Sequence, residues 1–391
     1  MVEVFLAFLK LGLTSFGGPI AHLGYFRAEL VLRRRWIDEA GYGDVVSLCQ
    51  FLPGPASSQV GFALGWLRAG PLGALAAWAA FTLPSAALLV AFAFGAGRLD
   101  NPLGGALLHG LKIVAVAVVA QAVWGMARTL APDARRAAIA IAALLLIVFA
   151  GGVSMQVAAI ALGALAGFVL CRGPRAAGAG RLALAISPRL GIGALALFAV
   201  LLFGLPLIAG QHAAVAVFSA FYRAGALVFG GGHVVLPLLQ AETVAPGWVT
   251  PDAFLAGYGL AQAVPGPLFT FAAYLGGVAG PAPHGLPGAA IALAGIFLPG
   301  LLLVYGMLPF WDALRRRATA QAAMRGANAA VVGILAMALY SPVWTSAVLT
   351  PTDFALAAGG FTLLMVWKWP SWGIVLLLAL AGGLSQQVFF L

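Results

Sequence analysis

Two Pro-Gly-Pro triplets, Pro53-Gly54-Pro55 and Pro265-Gly266-Pro267, interrupt long apolar stretches of the chain. Proline lacks an amide donor and clashes with the preceding turn, so a helix that reaches either triplet must stop and restart. A restart presents free N–H groups and the positive end of a helix dipole, which together make a ready anion site. Inside a bilayer such irregular backbone is tolerated only where it is buried in protein or lines a cavity. A packing kink is the plainer explanation for one triplet; two at equivalent places favour a binding site. Gly17-Gly18-Pro19 and Gly230-Gly231-Gly232 are a second pair of breaks, because glycine permits sharp turns and close approach to a ligand. Helix packing through small residues is the competing reading there.

Lys10 and Arg223 lie within apolar sequence on the approach to the glycine breaks. A cation in such a place is costly and points to anion binding, with snorkelling to the surface as the alternative. The expected substrate-binding set is therefore Lys10, Ser15, Gly17, Gly18, Gln50, Pro53, Gly54, Pro55, Gln59, Arg223, Gly230, Gly231, Gln262, Pro265, Gly266 and Pro267, with Thr14, Ser57, Ser58 and Thr270 flanking it. Lys112 is a third apolar-segment cation, with Asn328 as its counterpart. His22 and His233, just past the glycine breaks, read as structural hydrogen bonders rather than proton carriers. Glu29 and Glu242 read as interfacial, with Arg27 or Arg33 as the partner of Glu29. No catalytic residue, metal or cofactor is expected. The chain has no cluster with metal-ligand spacing, no GxxxxGK[ST] phosphate loop and no nucleophile with its base. Cys49 and Cys171 read as packing residues.

The elements that hold these residues are set by composition. Of 391 residues 63% are hydrophobic and 8% charged, with a mean hydropathy of +1.04, against about 25% charged residues in soluble domains. Apolar stretches long enough to cross a bilayer, about 20 residues each, alternate with arginine clusters. The stretches are continuous rather than alternating, which excludes a transmembrane β-barrel. A formal charge of +10 raises the question of nucleic acid, but the arginines stand at the ends of apolar segments, where the positive-inside rule places them. An integral, multi-pass, all-α protein of a bacterial inner membrane is expected, with no nucleic-acid partner. Glu3, where a signal peptide would be basic, argues against a cleaved leader.

The chain repeats itself. Residues 8–18 recur as residues 221–231 with Phe, a cation, Gly, Phe and Gly-Gly in register, and Gln50 to Pro55 recur as Gln262 to Pro267. Phe81-Thr82-Leu83-Pro84 pairs loosely with Ile296-Phe297-Leu298-Pro299, and Gly110 with Gly326. Two repeats are expected, 1–171 and 211–391, joined by a basic linker and one extra transmembrane helix over 172–210. Six segments plus one extra crossing insert the second half upside down, as in many secondary transporters. The arginine clusters all fall on one side if the first two segments of each half are re-entrant hairpins, turning at Gly17-Gly18-Pro19 and Pro53-Gly54-Pro55; broken spans preserve the inversion too.

Phe16-Gly17-Gly18-Pro19, Leu52-Pro53-Gly54-Pro55 and their echoes Phe229 to Gly232 and Val264 to Pro267 resemble the chromate ion transporter family, in its long, two-domain form. The resemblance covers nearly the whole chain. It implies a secondary transporter, not an enzyme, that exports chromate from the bacterial cytoplasm, energised by the proton gradient, with sulfate as the chemical analogue. In the second half Gly232 and Val264 replace the proline and leucine of the pattern, so the two breaks need not be equivalent. An anion channel and an intramembrane enzyme are the competing readings, and a homodimer is left open.

Overall fold

The computed structural model describes residues 1–95, 102–150, 153–172, 186–315 and 317–388. Most of the basic linker, including Arg175 and Arg181, and also Arg316, lie outside them. The described residues form helices and no strands.

Helix α1 (Val2–Thr14) buries Val4, Ala7, Phe8 and Leu11, a stripe with helical spacing. Its 13 residues make about 20 Å of helix, short of the roughly 30 Å hydrocarbon core. It ends where Ser15 becomes extended and Gly17 turns left-handed at φ 93°. The chain returns as α2 (Gly18–Phe26), with Pro19 in its first turn where no amide is missed, and runs on through a π-helical stretch, Arg27–Arg33. Helix α3 (Glu39–Phe51) starts from an Asp38 cap and stops at extended Leu52. After Pro53-Gly54-Pro55 comes α4 (Ala56–Gly95), bent at Ala69 and Gly70 into two arms. Helices α5 (Pro102–Leu130), α6 (Ala134–Ala150) and α7 (Val153–Leu170) complete this half.

Helix α8 (Pro188–Ile208) follows, with only 6% of its most apolar stretch buried; it packs on one side and leaves the rest of its surface to lipid. Then the order recurs: α9 (Ala213–Ala226), a glycine break, α10 (Val235–Thr243), α11 (Pro251–Ala261), a Pro-Gly-Pro break, α12 (Phe271–Val278) and α13 (Gly285–Met307). A short helix α14 (Trp311–Leu314) leads to α15 (Ala318–Ala338), which runs on through a π-helical turn to α16 (Thr345–Ala347), and α17 (Pro351–Met365) and α18 (Ser371–Val388) end the chain. Among the described residues five helices, α8 among them, are long and apolar enough to span a membrane, which establishes the all-α membrane class.

The halves are interleaved. Helix α7 packs on α15 of the other half, and α18 packs on α5. Both crossings are made by glycine. A Cβ on Gly326 would stand 2.0 Å from the Gly163 carbonyl oxygen and 2.5 Å from Gly167 Cα, and one on Gly110 would stand 2.4 Å from the Leu378 carbonyl oxygen.

Candidate functional site

The four helix breaks meet. The Gly54 amide donates to the Val228 carbonyl at 2.8 Å, and the Gly266 amide donates to the Ser15 carbonyl at 2.9 Å. Val228 and Ser15 hold the same repeat position, so each Pro-Gly-Pro turn is tied to the glycine break of the opposite half by an equivalent bond. Gly54 at φ 121° and Gly266 at φ 104° adopt backbone that a side chain would strain. The Pro19 ring closes against Gly232, where a Cβ would lie 3.0 Å from it. These two amides are therefore committed to carbonyl groups and are not free for a ligand.

Beside this knot lies a cavity of about 430 Å³ whose walls include Phe16, Gly17, Gly18, Gln121, His233, Gln262 and Lys368, with Tyr25, Trp369 and Trp372 at its rim. His233 Nδ1 sits 2.8 Å from the Tyr258 hydroxyl, which fixes the ring. The Gln262 amide nitrogen, close to the same hydroxyl, finds no acceptor in hydrogen-bonding geometry. Lys368 is exposed and forms no ion pair among the described residues. Its φ of 54° is left-handed, a conformation that costs a lysine about 1–2 kcal/mol and is kept only where the surroundings impose it. The amide of Trp369 bonding to the Leu363 carbonyl at 3.1 Å helps to impose it. A lone cation, two amide side chains and an imidazole around this space form a donor set for a small anion.

Of the residues expected from sequence, Gly17, Gly18 and Gln262 line this cavity. Gly230 and Gly231 lie behind it, against Met126, Leu130 and Asn328. Ser15 is fully buried, and its hydroxyl is unpartnered. Gln59 is drawn into the knot, donating to the Pro53 and Gly300 carbonyls at 2.9 and 3.0 Å. Pro55 packs on Gly300, and the Pro267 carbonyl caps Thr270 at 2.7 Å, so Pro53, Pro55, Pro265 and Pro267 shape the turns without lining the cavity. Gln50, the counterpart of Gln262, is exposed on another surface. Lys10 and Arg223 are ion-paired with Glu29 at 2.9 Å and Glu242 at 2.5 Å, carboxylates that each lie 19 residues downstream. Both carboxylates are buried. Arg33 and Arg34 join Glu29, whereas Arg27 pairs with Glu39. Lys112 pairs with Asp252, and His22 faces Ser57 at 3.4 Å. Gln121 and Lys368 were not expected. The signal for Lys368 was available, a single cation between tryptophans, Trp367-Lys368-Trp369.

The sequence profile of the chromate transporter family matches residues 2–168 and again residues 215–384. A chromate transport protein of Pseudomonas aeruginosa is 30% identical over 99% of this chain and 92% of its own length. A probable chromate transport protein of Synechococcus elongatus is 29% identical over 85% of this chain and 82% of its own. The chromate transport protein of Cupriavidus metallidurans is 26% identical over 90% and 84%. No solved structure matches.

Proposed function

The chain belongs to the chromate transporter family, a family of membrane transport proteins rather than enzymes, and from that premise we propose that it is a secondary transporter that expels chromate. The cavity at the meeting of the helix breaks is its anion site. The observation that carries this reading is the coincidence of Lys368, His233, Gln262 and the Gly17-Gly18 wall around one space. Chromate is a tetrahedral oxyanion, as sulfate is, and it meets a point charge and amide donors there, with no carboxylate among the residues lining the cavity to repel it.

The breaks also suit the proton-driven, alternating cycle proposed here. Two matches of one profile to the two halves support the repeats 1–171 and 211–391, the reciprocal pairing of matched turns supports a two-fold relation between them, and the odd number of crossings proposed for the first half and its connector supports inversion. Arg315 reaches Asp44, and Arg325 reaches the Cys171 carbonyl, so the basic ends gather on one face; Lys112 with Asp252 and His109 with Asp353 gather on the other. Helix α17 starts at Pro351, with Asp353 in its first turn, and runs away from that second face, so Lys368 belongs to the basic face, and the cavity opens there. By the positive-inside rule this face is cytoplasmic in a bacterial inner membrane. Reporters fused near residues 180 and 320 should read cytoplasm, and one near residue 247 the exterior. A cytoplasmic reading at 247 rejects the inversion.

The functional test is chromate uptake into inverted vesicles, with and without a proton gradient. Gradient-driven, saturable uptake is expected, and a flux that never saturates favours a channel. Lys368→Gln should raise the half-saturating chromate concentration about tenfold, the value of one charge-assisted bond at a partly hydrated site, and Lys368→Arg should restore most of it. Unchanged kinetics in Lys368→Gln would remove the cavity from the route.

A further inference from the structure

The landmarks that align the halves also reveal where they differ. Ser57, Gln59, Thr82 and Ser85 correspond to Phe269, Phe271, Phe297 and Gly300. In the C-terminal half the three phenylalanines are buried, with the Phe269 and Phe297 rings 5.9 Å apart. The fold is thus satisfied at this place by apolar bulk. In the N-terminal half the same place is polar and equally buried: Ser15, His22, Ser57, Ser58, Gln59 and Thr82 are each 2% exposed or less.

Several of these groups adjoin one another, and Ser58 and Thr82 stand next to Ser57 and Phe81 in the chain. The Gly266 amide bonds Ser15, and a Cβ on Gly266 would touch Ser85 Oγ and the Phe81 carbonyl. The Phe81 ring meets His22 edge-on at 5.4 Å, and His22 faces Ser57. Ser15 Oγ, Ser58 Oγ and Thr82 Oγ1 have no hydrogen-bond partner among the described residues, and His22, which lies close to the Ser15 backbone, has none for Nε2 in hydrogen-bonding geometry. Buried polar atoms are almost always paired, and leaving them unpaired is costly. The other half fills the place of Thr82 with Phe297 and that of Ser15 with Val228, so the fold itself does not require those two hydroxyls, whereas Ser58 matches Thr270, whose hydroxyl donates to the Pro267 carbonyl. Ser15 also places the cluster directly behind the Gly17-Gly18 wall of the cavity.

We infer that this cluster is a second station on the transport route, where uncharged hydroxyl and imidazole groups hold a tetrahedral oxyanion in its singly charged, protonated form. The inference rests on the transporter reading above. The cost of withdrawing an ion from water rises with the square of its charge, so a station without a cation of its own favours a monoanion over a dianion. Chromate takes up a proton near neutral pH and sulfate does not, so such a station separates two anions of the same shape.

The test is chromate uptake by the full-length protein in proteoliposomes, together with thermal stability in detergent. Thr82→Val and Ser58→Ala each remove an oxygen that no protein group needs. Both should keep or raise the thermal midpoint while lowering uptake about tenfold, the value of one hydrogen bond to an ion, and Thr82→Ser should stay within about twofold of wild type. Labelled sulfate should be carried far more slowly than chromate by the wild type, even where it competes at the first cavity. Normal uptake in both variants overturns the inference, as does loss of uptake together with a lower thermal midpoint, which marks a structural role. Sulfate carried as fast as chromate overturns it too. A wild-type protein that moves no chromate overturns the transporter reading itself, and this inference with it.

Discussion

Replacing Pro53-Gly54-Pro55 by three alanines is expected to abolish transport and to lower stability together. From sequence alone the second effect carries the opposite sign, because alanine exceeds proline by about 3 kcal/mol in a helix interior. The structure reverses it. A continuous helix from residue 39 to the bend at Ala69-Gly70 would reach about 45 Å, far beyond a hydrocarbon core of roughly 30 Å. It would also draw the residue-54 amide into the helix and leave the Val228 carbonyl, its partner at 2.8 Å, buried and unpaired at a cost of about 1–3 kcal/mol. Keeping the turn instead asks alanine to hold φ 121° with a Cβ 3.0 Å from Gly300 Cα. Uptake in vesicles and the thermal midpoint of the purified variant measure both effects. A stable variant that still transports would show that the knot is neither site nor scaffold.

The second large effect is expected far from any ligand. Gly326→Ala places a methyl group 2.0 Å from the Gly163 carbonyl oxygen and 2.5 Å from Gly167 Cα. Both are backbone atoms, which no rotamer change can move, so α7 and α15 must separate along their whole contact. Overpacking a close crossing costs about 1–3 kcal/mol and more where backbone is struck, so about 3 kcal/mol is expected, read as a fall in thermal midpoint or as loss of the folded protein from the membrane. Gly359→Ala is the matched control, since its Cβ meets nothing within 4 Å; it should be neutral or gain up to about 1 kcal/mol of helix propensity. Equal behaviour of the two variants would refute the crossing.

What could be read in the sequence was what the chain does to itself locally. Clustered proline and glycine stop helices, as Gly17-Gly18-Pro19, Pro53-Gly54-Pro55 and Gly70-Pro71 do, whereas the single Pro84, Pro206 and Pro299 sit inside helices, so the clustered breaks and the matched order of elements are legible without coordinates. Residue roles that depend on the opposite half were not. Gln50 and Gln262 are equivalent in the repeat, yet only Gln262 faces the cavity, because that space is closed by α5 and by the turn before α18. Lys10 and Arg223 read as anion ligands until their carboxylates are found. The signal existed, since Glu29 and Glu242 stand at the same 19-residue spacing, but assigning Arg27 or Arg33 to Glu29 concealed it. Lys368 was passed over because nothing in the first half echoes it.

The interleaving of α7 with α15 and of α18 with α5 sets a clock on biosynthesis. Gly110 enters the membrane long before Gly382, the residue that packs against it, has been translated. At about 5–20 residues per second the wait is tens of seconds. During that time the glycine faces of α5 and α7 are open to any neighbouring helix, and the contacts that close them lie at long sequence separation, which slows their formation. The N-terminal half is therefore synthesised with those faces unfilled, and its packing is completed only when the last helix arrives.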